Sequence, residues 1–271
     1  MRAVTTTHLL PLAASSAASS RQRLQRVTAS MDSMGGGGGN NHASPNRGDT
    51  YVSISTSSNS PTTAPSSIAS QSVSNTIQFL TLCQRLKTTK RTGWVNHGLK
   101  ESESIADHMY RMAIMALVLS DDVPGVNKDR CVKMAVVHDL AEAIVGDITP
   151  SDGVPKEEKS RMEREAMDQM CSMLGNGDAA QEMKELWQEY ENNATPEAKL
   201  VKDFDKVEMI LQAQEYEQQQ GKHLEDFFRT TRGKFQTDVG KALAAEVVRR
   251  RPSTLKQQVE SQNGPLKTSS T

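Results

Sequence analysis

Five ionisable residues sit where the hydrophobic pattern of the chain calls for apolar ones. His108 lies three residues after Ile105 and four before Met112, on the apolar stripe of a helix. His138 falls between Met134 and Ala141 in the same way, Asp139 follows it, and Glu142 shares its face four residues on. Asp205 is four after Val201, on the inward side of a long helix. Asp147 follows Gly146, where a helix ends and backbone can approach a ligand. A lone inward histidine is more often a hydrogen-bonded core residue, and a lone Asp203 or Asp205 on a helix is usually a surface carboxylate. Together they carry more weight, because burying several imidazoles and carboxylates is costly unless they pair or bind a metal. Two histidines and two aspartates from three helices can converge on one ion. Such ligands suit Mn, Fe, Co, Ni or Zn better than Ca, and the lack of a thiolate argues against a structural zinc.

The elements that must position them read as helices. Residues 76–86 place Ile77, Leu80, Cys83 and Leu86 three apart. Ser102 is the expected cap of a helix through Ile105, Met109, Met112, Ala116 and Leu119. Asn127 caps the next, through Cys131, Met134, Ala135, His138 and Ala141 to Gly146; it is apolar on most sides and expected to be central. A loop with Pro150, Gly153 and Pro155 precedes an amphipathic helix over 156–174, with Gly175 suited to its C′ position. Residues 179–190 carry the stripe Met183, Leu186, Trp187, Tyr190. Thr195-Pro196 opens a long helix through Val201, Phe204, Glu208 and Leu211. Shorter helices are expected near 223–230 and 236–249. No stretch alternates apolar and polar residues, so the expected fold class is all-α, one helical bundle over residues 75–250.

The ends differ in composition. Of the 271 residues, the first 75 hold seventeen serines, one aromatic (Tyr51) and no lysine, too little apolar surface to offset the entropy of ordering. Residues 1–74 are therefore expected to be a disordered extension. Its first thirty residues lack acids and carry Arg2, Arg21, Arg23 and Arg26, a pattern resembling an organelle transit peptide. That would direct the protein to a plastid or mitochondrion; without it the expectation is the cytoplasm. Pro252 and the polar run after it read as a tail over 251–271. The longest apolar run, 112–119, is far short of the roughly 18–20 residues of a membrane span. A net charge of −1 gives no basic footprint for nucleic acid. Cys83, Cys131 and Cys171 form no CxxC pair, and read as small core side chains in a reducing compartment.

The order His108 … His138-Asp139 … Asp205 resembles the H…HD…D signature of the HD-domain metal-dependent phosphohydrolases. Residues 103–108 (ESIADH), 138–147 (HDLAEAIVGD) and 200–215 (LVKDFDKVEMILQAQE) are similar to three motifs of its 5′-deoxynucleotidase branch, the HD domain-containing protein 2 group. The resemblance covers about residues 75–250. It implies that His108, His138, Asp139 and Asp205 hold a divalent metal (Mn, Co or Mg). Glu142 and Asp147, with the Ile148 carbonyl, would hold a second ion or place the attacking water, so that Glu142 and Asp139 are the catalytic candidates. Arg91 and Trp94 fall in the segment that contacts substrate, although Thr92 and Gly93 separate them where the bacterial form has the two adjacent. Arg91 suits bidentate phosphate contact, or a solvated cluster with Lys87 and Lys90. Trp94 suits contact with a deoxyribose, or core packing. The implied reaction is hydrolysis of a deoxyribonucleoside 5′-monophosphate by a metal-activated water, in a homodimer. Two alternatives stay open: a cyclic or polyphosphorylated nucleotide as substrate, or a non-catalytic module binding metal and nucleotide. A diiron oxygenase would need further histidine ligands, and His97 and His223 lie outside the motifs.

Overall fold

In the computed structural model, which describes residues 67–119 and 123–262 and side chains over 71–119 and 123–251, helix follows helix and there is no strand among the described residues. The helices are α1 (Ser67–Thr88), α2 (Thr92–Asn96), α3 (Ile105–Leu117), α4 (Lys128–Val137), α5 (Glu142–Val145), α6 (Lys156–Met173), α7 (Asp178–Asn192), α8 (Pro196–Gln220), α9 (Glu225–Thr231) and α10 (Asp238–Gln262). The transit-peptide reading and residues 1–66 of the expected disordered extension lie outside the described residues, whereas residues 67–74 of that extension are helical, as the start of α1. No helix among them is long and apolar enough to cross a membrane.

The central element is α8 rather than α4. It packs against α3, α4, α7, α9 and α10 and belongs to both apolar clusters. Its Leu200 and Phe204 join Ile105, Met112, Met134, Met167 and Met170 in the larger cluster. Its Val207 and Ile210 join Trp94, Leu224 and Phe228 in the smaller one. The Thr195 hydroxyl caps it at the Ala198 N–H, and Pro196 occupies the first turn, where its missing N–H has no helical partner to lose. The methionines on the apolar stripes are core residues, as are Cys131 and Cys171, and the three cysteines are free.

Four local expectations need correction. On α1 the buried residues are Phe79, Leu82 and Leu86, whereas Ile77 and Leu80 are 57% and 55% exposed. A strict three-residue spacing drifts about 60° per step around a helix of 3.6 residues per turn, so Ile77 and Leu86 cannot share a face. The cap of α3 is Ser104, not Ser102. Arg91 N–H donates to the Glu103 carbonyl, and Ile105 N–H to that of Thr89, so residues 102–104 are held extended beside 89–91. Ser104 and Asp107 then close a reciprocal capping box. Next, α4 stops at Val137. His138–Ala141 form a tight turn with i→i+3 bonds such as Glu142 N–H to Asp139 carbonyl, before the single turn of α5. Finally, α10 runs past Pro252 to Gln262, where composition suggests a tail. Proline removes one helical hydrogen bond, but Lys, Gln and Glu in that run are good helix formers.

A buried carboxylate of α8 fixes the start of α10. Asp203 is fully buried and accepts from the N–H groups of Gln236 and Thr237 and from the Thr237 hydroxyl. Thr237 in turn caps α10 at the Gly240 N–H. A Cβ on Gly240 would come within 2.6 Å of Asp203 Cβ and 2.7 Å of its Cγ. Replacing glycine by alanine inside an ordinary helix stabilises by roughly 0.5–1 kcal/mol. Here the clash outweighs that gain: Gly240→Ala is expected to lower the unfolding free energy by about 1–3 kcal/mol in urea denaturation.

Candidate metal centre

His108 projects from α3 into the space between α4 and α8 and has no exposed surface. Its Nδ1 lies 2.6 Å from Glu208 Oε2, also fully buried. Burial raises the Glu208 pKa, but His108 and Arg111 outweigh burial and hold it below the ordinary range. An ionised carboxylate only accepts, so Nδ1 keeps a hydrogen, and once the ring gives up its other proton Nε2 turns a lone pair to the interior. His138, in the turn after α4, donates from Nδ1 to the Ala135 carbonyl at 2.9 Å, which leaves its Nε2 bare too. Neither Nε2 has a hydrogen-bond partner, although both are buried.

Carboxylates face these nitrogens. Asp139 Oδ2 is 3.2 Å from His138 Nε2, and Asp205 Oδ1 is 3.4 Å from His108 Nε2. One ligand atom each from His108, His138 and Asp205 fall within 4.8 Å of one another. Burial raises both aspartate pKa values, yet the histidines and Arg91 reverse the shift and leave both lowered. Burial lowers that of His108, but Asp205 and Glu208 push it up to about 9. Surroundings that draw a proton to His108 also favour a divalent cation, whose binding releases that proton. Two buried, bare imidazole nitrogens beside two ionised carboxylates fit a divalent transition metal.

The other candidates take distinct places. Arg91, at the start of α2, reaches Asp139 at 3.2 Å and Asp205 at 3.8 Å. Glu142 lines a cavity of about 920 Å³ together with Arg91, His138, Asp139 and Asp205, and its Oε2 is buried and unpartnered. Burial, then Asp139 and Asp147, drive its pKa well above the glutamate range. Asp147 accepts the Thr92 N–H at 2.6 Å, and its carbonyl accepts the Thr92 hydroxyl, tying α2 to the cavity. The Ile148 carbonyl is already engaged by Lys159 Nζ at 2.9 Å. Trp94 stands one layer back: it is 1% exposed, and its indole N–H donates to Glu103 Oε1.

Sequence reasoning missed three supporting residues. Glu208 stood among the apolar residues of its stripe, and that position was the signal. Arg111 holds it through Nε at 2.8 Å and is itself held by Gln212 and Glu215. Tyr190 packs on His138 and donates to Asp205 at 3.1 Å.

A family model described as HD domain matches residues 83–247, and the chain belongs to the HD domain family. Among its relatives, Bos taurus 5′-deoxynucleotidase HDDC2 is 54% identical over 163 residues, 59% of this chain and 78% of that protein. The protein of the same name from Dictyostelium discoideum is 48% identical over 186 residues, 65% of this chain and 97% of that one. The solved structure of PH0347 protein from Pyrococcus horikoshii OT3 superposes with a TM-score of 0.54 at 33% identity, covering 66% of this chain and 99% of that one.

Carboxylates that orient a ligating imidazole typically contribute 10–100-fold to metal affinity. Glu208→Gln in the full chain is therefore expected to weaken Mn or Co binding by about that factor, read by competition with a chelating dye. Unchanged affinity in a folded variant would reduce Glu208 to a packing role.

Proposed function

We propose that this chain is a metal-dependent 5′-deoxynucleotidase, hydrolysing deoxyribonucleoside 5′-monophosphates to the deoxyribonucleoside and phosphate. The observation that carries the reading is the pair of buried, bare Nε2 atoms of His108 and His138, facing Asp139 and Asp205 at one end of a nucleotide-sized cavity. The names of the 5′-deoxynucleotidase relatives support the substrate class. A divalent ion (Mn, Co or Mg) on His108, His138, Asp139 and Asp205 would supply charge to the phosphoryl oxygens and acidify water. A second ion on Glu142, Asp147 and the Ile148 carbonyl would compete with the Lys159 ammonium, so one ion is the reading we favour.

The chain's own groups do the rest. Lys159, Lys202 and Lys206 line the cavity and attract a phosphate dianion. Arg91 lies across Asp139 and Asp205; once these ligate an ion, its planar fork is left to the phosphate oxygens. Glu142 Oε2, buried and without a partner, is placed to orient the attacking water, and a bound cation beside it would favour the ionised carboxylate that takes the proton. Metal-stripped full-length protein is expected to release phosphate from deoxynucleoside rather than ribonucleoside 5′-monophosphates only after Mn, Co or Mg is restored. Asp139→Ala should lower kcat/KM by about 1,000-fold, the several kcal/mol a bound ion supplies. No release from any monophosphate by folded, metal-loaded protein would sink the reading in favour of a cyclic or polyphosphorylated substrate or a non-catalytic role.

The proposal includes a homodimer. Tyr110, Ile114, Leu117 and Val118 form an exposed apolar row along and just beyond α3, with Tyr110 70% and Val118 74% exposed. Sedimentation equilibrium is expected to give twice the chain mass, and Leu117→Glu to shift it to one. A monomeric parent protein would remove the dimer and leave the active-site reading intact.

A further inference from the structure

Beside the metal-bearing cavity lies a second one, of about 550 Å³, between α2 and α9. That volume is within the roughly 300–1,000 Å³ typical of small-molecule sites. We propose that it is the nucleobase subsite, with the base lying on the ring of Phe227; this rests on the deoxynucleotidase reading above.

Continuity is the first argument. Arg91, Asp147, Thr149, Pro150, Lys206 and Met209 border both cavities. A nucleotide whose phosphate meets Arg91 on one side of this wall can lay its base on the other.

The change of chemistry is the second. The metal side is lined mainly by charged groups, whereas the far side sets the rings of Trp94, His97 and Phe227 among fewer charged ones, Asp226, Arg229 and Lys234. Phe227 is half-buried and held from behind: its ring packs on Trp94 at a centroid distance of 4.3 Å and on His97 at 4.8 Å. Trp94 cannot offer its own face, being buried with its N–H committed to Glu103. It backs Phe227 instead. Gly93 lets the ring lie close to α2, since a Cβ there would come within 3.3 Å of Phe227 Cε1. A rigidly backed phenyl ring at a cavity wall is a stacking platform, and stacking accepts any base because every base has a π-face. The subsite therefore supplies affinity common to all deoxynucleotides.

The test uses the full-length, metal-loaded protein and two substrates: a deoxynucleoside 5′-monophosphate, and 2-deoxyribose 5-phosphate, which keeps the sugar and phosphate but lacks the base. Stacking on an aromatic side chain is worth about 1–3 kcal/mol, or roughly 5–150-fold. The nucleotide is expected to exceed the base-less ester in kcat/KM by a factor in that range. Phe227→Leu, which keeps apolar packing but removes the π-face, should bring the ratio close to one, mainly through KM. Thr230→Trp should do the same by filling the cavity from an exposed position, with Phe227 still on Trp94. A parent ratio near one, or a ratio unmoved in both folded variants, overturns the proposal. Saturation-transfer NMR with a phosphate-free deoxynucleoside separates the two readings. If no substrate turns over but nucleoside binding is present and lost in both variants, the subsite stands and the deoxynucleotidase reading falls. If turnover occurs and nucleoside binding ignores both variants, the subsite falls alone.

Discussion

Asp203, Asp205 and Glu208 leave α8 in three directions, and the 100° turn per residue of a helix sets each of them. Asp203 points to the start of α10 and anchors its backbone. Asp205, about 200° further round, faces His108. Glu208 returns to within about 60° of Asp205 and meets the opposite nitrogen of the same imidazole. One helix thus carries a proposed ligand, the support of another, and the attachment of the C-terminal helix. Because α8 also joins both apolar clusters, a change in its rotation would disturb all three at once.

Such a concentration of acids inside a helical core needs compensation, since an unpaired buried carboxylate costs several kcal/mol. Two arginines supply it from opposite sides. Arg111 clips Glu208, Gln212 and Glu215, successive positions on one face of α8. Arg91 comes from the far side and covers Asp139 and Asp205. The arginine behind the histidine is held by three partners on α8, while the one in front borders both cavities. The same charge therefore has a structural use at one end of the site and a substrate-facing one at the other.

Much of this was legible in the sequence. Helical spacing gave the all-α class, and misplaced polar residues on apolar stripes marked His108, His138 and Asp205. The preference for Asp205 over Asp203 came from the resemblance to the family's last motif, with its offset of four from Val201 in support. The failures have physical causes. Asp203 looked like a surface carboxylate because nothing in a sequence shows that residues 236–237 return to it. Ser102 was the expected cap, but the pairing of 89–91 with 103–105 holds it extended and passes the role to Ser104. The break after Val137 was hidden because residues 138–145 keep helical spacing through a turn of i→i+3 bonds. Trp94 had two readings, substrate contact or core, and a hydrogen bond to Glu103 with Phe227 in front places it in the interior.

The wall between the two cavities also separates the elements that build them. The residues proposed to hold the ion come from the turn after α4 and from α3 and α8, where each side chain is locked to several others. The far cavity is built from α2 and the short α9, at opposite ends of the domain sequence, and α9 is packed mainly on α8. Substitutions in α9 can accumulate there without moving a ligand atom. A lineage could thus keep one hydrolytic centre and revise what it accepts, so that in a comparison of relatives α9 should diverge faster than the turn that follows α4.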